Sequence, residues 1–241
     1  MFRRDTHRAM QSVLEAFDVG ALEDYRVALG GATRIALAFG EPRESRDLDF
    51  LGSDAGGWTR LRTAVSARGY SALFRDPSAL ALPREPSADQ YGIRFPVVAL
   101  GMTLKVEIIR EARIELLPAV HVSFCTVPCL AIEDCYTEKL LANADRGADP
   151  SQLDRDVVDL AILRSKHGPI PTAALEAATK AYGPSVRDAL SRSVQRFRGD
   201  AARRARDVRG LRVDDEPMIL SGIELLAADL ALPEPGDDDR G

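Results

Sequence analysis

Two aspartates separated by one residue, Asp47 and Asp49 in Ser45-Arg46-Asp47-Leu48-Asp49-Phe50, are the pair in this 241-residue chain best suited to chemistry. Side chains alternate along a strand, so both carboxylates share one face while Leu48 and Phe50 point into a core. Carboxylates roughly 7 Å apart along a strand can hold one or two divalent cations against a phosphate chain. Upstream, an apolar run, Val27 to Leu29, ends at Gly30-Gly31, and a helical stretch carrying Ile35, Leu37, Ala38 and Phe39 follows. Glycines at that point let backbone N–H groups approach phosphate oxygens at a helix N-terminus. Asp-x-Asp alone also marks turns and solvated strand ends. The order strand, Gly-Gly, helix, polar turn (41–45), Asp-x-Asp strand is what points to phosphate chemistry.

With that order established, GGATRIALAFGEPRESRDLDFLG resembles the nucleotidyltransferase superfamily and, more narrowly, the AbiEii/AbiGii toxin family. Members of that family show a Gly-Gly-Thr opening and a Ser-x-Asp-Leu-Asp-Phe strand; here Ala32 separates the glycines from Thr33. A second block is Thr103-Leu104-Lys105-Val106-Glu107-Ile108-Ile109, with Leu104, Val106 and Ile108 on one face and Lys105 and Glu107 on the other. Taken locally, Lys105 and Glu107 are a solvated pair on an antiparallel strand. The family usually shows Lys-x-Asp, so Glu107 matches in chemistry but not in identity. The third block runs from Asp134 to Lys139 and then Arg155-Asp156-Val157-Val158-Asp159-Leu160. By composition alone Lys139, Asp156 and Asp159 would be surface charges. The resemblance covers about residues 26–165.

The resemblance implies an α/β fold, a nucleotidyltransferase-like mixed sheet core followed by a helical C-terminal region. It implies Mg²⁺ (or Mn²⁺) held by Asp47, Asp49 and Glu107, and an NTP bound through Gly30, Gly31, Thr33, Ser45, Arg46, Lys105 and Lys139. The catalytic set would be Asp47, Asp49, Lys139, Asp156 and Asp159, with Lys139 and the 156–159 face closing over the nucleotide. The implied acceptor is RNA, such as a tRNA 3′ end, and the implied role is the toxin of a toxin–antitoxin or phage-defence system with a separate antitoxin. A nucleotide-binding, non-catalytic or regulatory protein of the same fold is the alternative, and Glu107 is the residue that favours it. A haloacid-dehalogenase-like phosphohydrolase ranks lower, because Leu51 stands where Thr or Val is usual and no Gly-Gly loop is expected upstream.

The elements that must position these residues follow from periodicity. A helix is expected over about 6–18, with Met10, Val13, Leu14 and Phe17 at helical spacing. Strands are expected at Tyr25–Leu29, Tyr70–Phe74, Tyr91–Val98, Ile114–Leu116 and His121–Val127, and a helix through Trp58, Leu61 and Val65. Pro128 marks the change to helices, near 132–145, 170–182, 184–206 and 216–231, with Pro150-Ser151-Gln152-Leu153-Asp154 opening another through a Ser151 capping box. The expected divisions are a core over 1–127, a helical domain over 128–232 and a disordered acidic tail over 233–241.

Composition adds less. Lys+Arg number 32 against 37 Asp+Glu, a net charge of −5 that gives no hint of nucleic acid. The distribution does: Lys180–Arg212 holds ten Lys/Arg against three Asp, a net +7, and Arg196, Arg203 and Arg206 are candidates for an RNA backbone. The rival reading is a solvated face paired with the acidic C-terminal segment. Cys125, Cys129 and Cys135 match no usual zinc spacing, and three cysteines point to a reducing cytoplasm. No apolar run reaches the roughly 18 residues needed to span a membrane.

Overall fold

The computed structural model describes residues 2–149 and 151–233, so the expected tail lies almost wholly outside the described residues. The chain divides into two compact units, Met1–Ala131 and Ile132–Gly241. The expected boundary at residue 127 falls inside a strand, Cys125–Cys129, that runs on through Pro128.

The first unit is a mixed sheet with helices on one face. Its elements are α1 (Asp5–Ala16), α2 (Val19–Tyr25), β1 (Ala28–Leu29), α3 (Gly31–Ala38), β2 (Asp47–Gly52), α4 (Ala55–Arg68), β3 (Ser87–Ala88), β4 (Gly92–Ala99), β5 (Met102–Arg110), β6 (Val120–Val122) and β7 (Cys125–Cys129). The strand order is β3-β4-β5-β2-β1-β7-β6. β2 runs parallel to β5 and antiparallel to β1. Leu48 and Phe50 of β2, Val106 and Ile108 of β5, and Ile93, Phe95 and Val97 of β4 are all buried, and they form one cluster with Met10, Val13 and Leu14 of α1, Leu22 of α2 and Trp58 and Leu61 of α4. Aromatic rings knit this core: Phe17 lies 4.4 Å from Phe74 and 4.9 Å from Phe50, and Tyr70 meets Phe95 edge-on at 5.1 Å. Burial of this face leaves the alternate residues of β2 and β5 on the other one.

One expected strand is shortened and two fail, each for a local reason. At Tyr25–Leu29, Asp18 caps a short helix by accepting from the Ala21 N–H, Leu22 and Tyr25 face the core, and Arg26 turns through the left-handed region (φ 53°), leaving only Ala28–Leu29 to pair. At Tyr70–Phe74 the Leu73 and Phe74 N–H groups bond to the Tyr70 carbonyl, so the segment is a 3-10 turn with one bridge, Phe74 to Phe17. At Ile114–Leu116 the Leu116 N–H goes to the Ser53 hydroxyl rather than to a strand.

The second unit is helical: α5 (Ile132–Arg146), α6 (Arg155–Lys166), α7 (Thr172–Tyr182), α8 (Ser185–Gly199), α9 (Ala201–Gly210) and α10 (Glu216–Asp229). The helix expected over 184–206 is broken at Asp200, which ends α8 and accepts from the Arg203 N–H to cap α9. α6 begins later than the expected Ser151 start, because Asp154 is bound elsewhere: Asp207 accepts its N–H at 3.0 Å. No helix among the described residues is long and apolar enough to cross a membrane.

Candidate active site

Parallel pairing of β2 and β5 places Asp47 opposite Lys105 and Asp49 opposite Glu107. The two blocks, whose paired residues are 58 apart in sequence, therefore meet in register. Antiparallel β4 adds Arg94 opposite Glu107. Asp47, Asp49 and Glu107 are half-buried and alternate with fully buried core residues, so they occupy the sheet face away from the core helices.

The glycine pair is tied to the same face. Gly31 sits at φ +61°, and a Cβ there would stand 2.6 Å from Asp49 Oδ2 and 3.0 Å from Asp49 Cβ. Only glycine accommodates both the backbone and the carboxylate. Gly30 donates its N–H to the Asp49 carbonyl at 2.8 Å, so it is spent on the sheet. The N–H groups a helix leaves without an intrahelical partner are those of the first turn of α3, from Gly31 onward, and they are the ones suited to an anion.

Thr33 and Ser45, expected at the nucleotide, are buried instead. Thr33 Oγ1 lies 2.7 Å from Ser45 Oγ and donates to the Asp47 carbonyl at 2.5 Å. The Ser45 N–H donates to His7 Nε2 at 3.0 Å, and His7 Nδ1 lies 2.9 Å from Glu41 Oε1. Since Nε2 accepts, Nδ1 carries the proton and His7 is neutral. Burial drives the His7 pKa down against the opposing pull of Glu41. Burial would raise Glu41, but the Arg3 and Arg4 N–H groups and His7 outweigh it and hold that carboxyl low. The result is a buried chain from Glu41 through His7, Ser45 and Thr33 to the backbone of Asp47.

Glu107 is engaged on both oxygens: Arg94 Nε lies 3.0 Å from Oε1 and Lys105 Nζ 2.6 Å from Oε2. Arg46 is exposed and pairs with Glu44. Hard oxygen donors in register suit Mg²⁺ or Mn²⁺ in kind, and Asp47 and Asp49 fit a cation. Among the described residues, though, no three acidic, His or Cys groups are gathered as a cation cluster. Glu107 already carries two cationic partners, which a metal would share or displace.

In the second unit, Lys139, Asp156 and Asp159 come together below the surface. Lys139 Nζ lies 3.0 Å from Asp156 Oδ1 and 2.6 Å from Asp159 Oδ2, and Arg146 Nε lies 2.6 Å from Asp156 Oδ2. Burial would raise Asp156, but the charge of Lys139 and the Arg146 hydrogen bond more than offset it, and the carboxyl stays far below its usual range. These are not the solvated charges that composition suggested.

The arginines proposed for RNA are also engaged. Arg196 and Arg203 both hold Asp154, at 2.7 and 2.9 Å, and Arg206 holds Asp207 at 2.7 Å. Asp154 and Asp207 are buried, so the partners of these arginines lie inside the unit and not in the acidic C-terminal segment.

Sequence reasoning missed His7, Glu41 and Arg94. His7 precedes Met10 and Leu14 by three and seven residues, which places it on the buried stripe of α1. Arg94 stands between Ile93 and Phe95, so alternation assigns it to the carboxylate face. Glu41, at φ 62°, gave no such signal.

A family model described as nucleotidyl transferase AbiEii toxin, type IV TA system, matches residues 12–234. Among solved structures, the protein JHP933 from Helicobacter pylori is similar at a TM-score of 0.53 and 20% identity, over 96% of this chain and 95% of that one. A candidate nucleotidyltransferase from H. pylori is similar at a TM-score of 0.51 and 18% identity, over 93% and 95%. At those identities the likeness shows the fold. No curated protein matches the chain.

Proposed function

This chain belongs to the AbiEii nucleotidyltransferase toxin family, and on that premise we propose that it moves a nucleotidyl group from an NTP to a hydroxyl of an RNA acceptor, such as a tRNA 3′ end. The acceptor oxygen bonds to the α-phosphorus, the bond from that phosphorus to the bridging oxygen breaks, pyrophosphate leaves and the hydroxyl proton is released. The observation that carries this reading is the β2–β5 register, which sets Glu107 beside Asp49 on the face that also holds Gly31.

Asp47 and Asp49 would hold Mg²⁺ or Mn²⁺, with Glu107 joining as the ion shares or displaces its cationic partners, Arg94 and Lys105. A divalent ion bound there supplies charge neutralisation for the triphosphate and a lowered pKa for the attacking hydroxyl. The first turn of α3 receives phosphate oxygens, and Lys105 and Arg46, both exposed, offset their charge. Thr33 and Ser45 hold β2 in place. Lys139, Asp156 and Asp159 enter as one ion-paired group; Lys139 meets a triphosphate only by loosening from one of its aspartates. The family description brings with it an antitoxin partner, a separate protein.

A second reading, nucleotide binding without transfer, is favoured by one observation: Glu107 is held by two cations. Incubating the protein with labelled NTPs, Mg²⁺ and RNA separates the two. Transfer is expected, and Asp49→Asn is expected to reduce it at least about 10³-fold with the fold unchanged. NTP binding without any RNA labelling supports the second reading.

A further inference from the structure

We infer that a cavity on the carboxylate side of the first unit binds the 3′-terminal nucleotide of the acceptor. The inference rests on the transferase reading above and deepens it. The cavity encloses about 870 Å³, within the size range of small-ligand sites. Its floor comprises Ala28, Leu51, Pro128 and Leu130. Leu51 follows Asp49 by two residues, so it shares that aspartate's face of β2, and Ala28 pairs with Leu51 in register. Leu51 and Leu130 also touch the glycine turn: a Cβ on Gly30 would stand 2.6 and 2.7 Å from their Cδ1 atoms. The cavity therefore starts about 7 Å along the strand from Asp49, on the far side of Leu51.

Its outer wall is the irregular segment 111–119, contributing Ile114, Leu116 and the exposed Leu117. That segment is anchored at two points, Glu111 N–H to the Gly52 carbonyl at 3.0 Å and Leu116 N–H to Ser53 Oγ at 3.0 Å. Nine residues without helix or strand are thus held as a wall.

The charges at the rim select among occupants. Glu111 is paired with Arg113, Asp54 lies 3.4 Å from Arg26, and His121 Nε2 lies 3.0 Å from Glu23 Oε1. Two charged groups remain without an ion pair among the described residues, Arg110 and Glu115, and both are exposed. One cation, one hydrogen-bond acceptor and an apolar floor match a single nucleotide: phosphodiester on Arg110, base N–H or ribose hydroxyl on Glu115, base against Leu51, Leu116 and Leu130. A triphosphate needs more positive charge, and the exposed cations suited to it, Arg46 and Lys105, lie at the Asp47 end of β2. The cavity lies at the other end, past Leu51. That separation assigns the cavity to the acceptor and not to the base of the NTP.

The test uses a single-stranded RNA octamer with a free 3′-hydroxyl and, separately, a non-hydrolysable NTP analogue, binding each to the full chain and to Arg110→Gln and Leu117→Asp. Both positions are exposed, so the fold is expected to survive. Each variant should bind the octamer about tenfold more weakly, Arg110→Gln by losing one charge-assisted contact and Leu117→Asp by setting a negative charge against the RNA backbone, with unchanged affinity for the analogue. An octamer ending in 4-thiouridine should photocrosslink to residues 111–119. Equal loss of both ligands would assign the cavity to the NTP and overturn the inference. Unchanged octamer binding in both variants, or a crosslink confined to other segments, would overturn it too. Wild-type protein that labels RNA while the variants bind it normally refutes the inference alone; wild-type protein that labels no RNA refutes the transferase reading.

Discussion

The two acidic pairs of this molecule are written almost alike and end in opposite electrostatic states. Asp47 and Asp49 are two apart on a strand; Asp156 and Asp159 are three apart on a helix. Either spacing puts both carboxylates on one side of its element. Asp156 and Asp159 then meet Lys139 and Arg146, and both are buried. The Asp47 carboxylate makes no hydrogen bond or ion pair among the described residues and stays half-exposed. The nearest cations in register go to Glu107 instead. The difference teaches that what separates a ligand-ready carboxylate from a structural one is the supply of cations from neighbouring elements, not the acidic motif. Asp47 keeps its carboxylate unpaired among the described residues; Asp156 and Asp159 spend theirs on folding.

The largest effect that tests this contrast is on stability. Lys139→Ala leaves Asp159 buried without its cation and should cost about 3–5 kcal/mol, read by urea denaturation at pH 7. Asp47→Asn should change stability by less than about 1 kcal/mol while removing transfer. Part of the Lys139→Ala loss should return near pH 5, because a buried carboxyl that has lost the cation 2.6 Å away can protonate. In the wild type the sign is opposite. Asp156 is held below its ordinary value, so its contribution is complete above that value and is lost as pH falls through the lowered one. A Lys139→Ala protein as stable as Asp47→Asn would erase the distinction between the two pairs.

A smaller effect sharpens the first site. Gly31→Ala forces an L side chain into φ +61° and sets its Cβ against Asp49. The backbone term alone costs about 1–2 kcal/mol, and displacement of Asp49 should lower transfer further than the stability loss explains. Gly40→Ala is the control, with positive φ but nothing within 4 Å of the added atom. Equal transfer in the two variants would show that the Gly31–Asp49 contact has no bearing on the chemistry.

These contrasts also mark what sequence could and could not give. The Asp-x-Asp strand, the Gly-Gly turn and the Lys105–Glu107 strand were legible, because a period of two and a glycine before a helix are local signals. The pairing of β2 with β5, which makes one site of two blocks, follows from chain crossovers that local patterns do not encode. The family resemblance assigns Thr33 and Ser45 to the nucleotide; their hydroxyls bond to each other and to the Asp47 carbonyl. Arg196 and Arg203 read as a free basic track because Asp154, forty-two and forty-nine residues away, is invisible to a charge count. Where the structure departs from expectation, a long-range hydrogen bond or ion pair has claimed a group that looked unoccupied.

His7 gives a pH-dependent test of the scaffold under Asp47. Its pKa is lowered in the folded chain, so the unfolded chain binds more protons between the lowered value and the ordinary value near 6.5. Stability from His7 is therefore complete above pH 6.5 and is lost as pH falls through the folded value, with a slope of at most about 1.4 kcal/mol per pH unit. Transfer by the folded protein should hold across that window and fall only below the lowered value, where Nε2 protonates in place and can no longer accept the Ser45 N–H. His7→Gln, whose amide can both donate and accept, should flatten the slope. A slope that persists undiminished in His7→Gln would assign the pH dependence to another group.

The smallest effect concerns the basic segment. Arg196 and Arg203 cannot be changed cleanly, because Asp154 is buried and burial raises its carboxyl unless their hydrogen bonds hold it down. Replacing both confounds RNA binding with folding. Arg206 is the usable probe: its side chain is 46% exposed although it pairs with buried Asp207. If α9 follows an RNA backbone, Arg206→Gln removes at most one phosphate contact. The slope of log affinity against log salt should then drop by about 0.7 for a single strand or 0.9 for a duplex. NTP affinity should not change, and the stability loss should be small because Arg203 also lies 3.8 Å from Asp207. An unchanged salt slope with lowered stability would place Arg206 with Lys139, among the cations spent on holding buried aspartates, and would leave the cavity beside Asp49 as the acceptor contact to pursue.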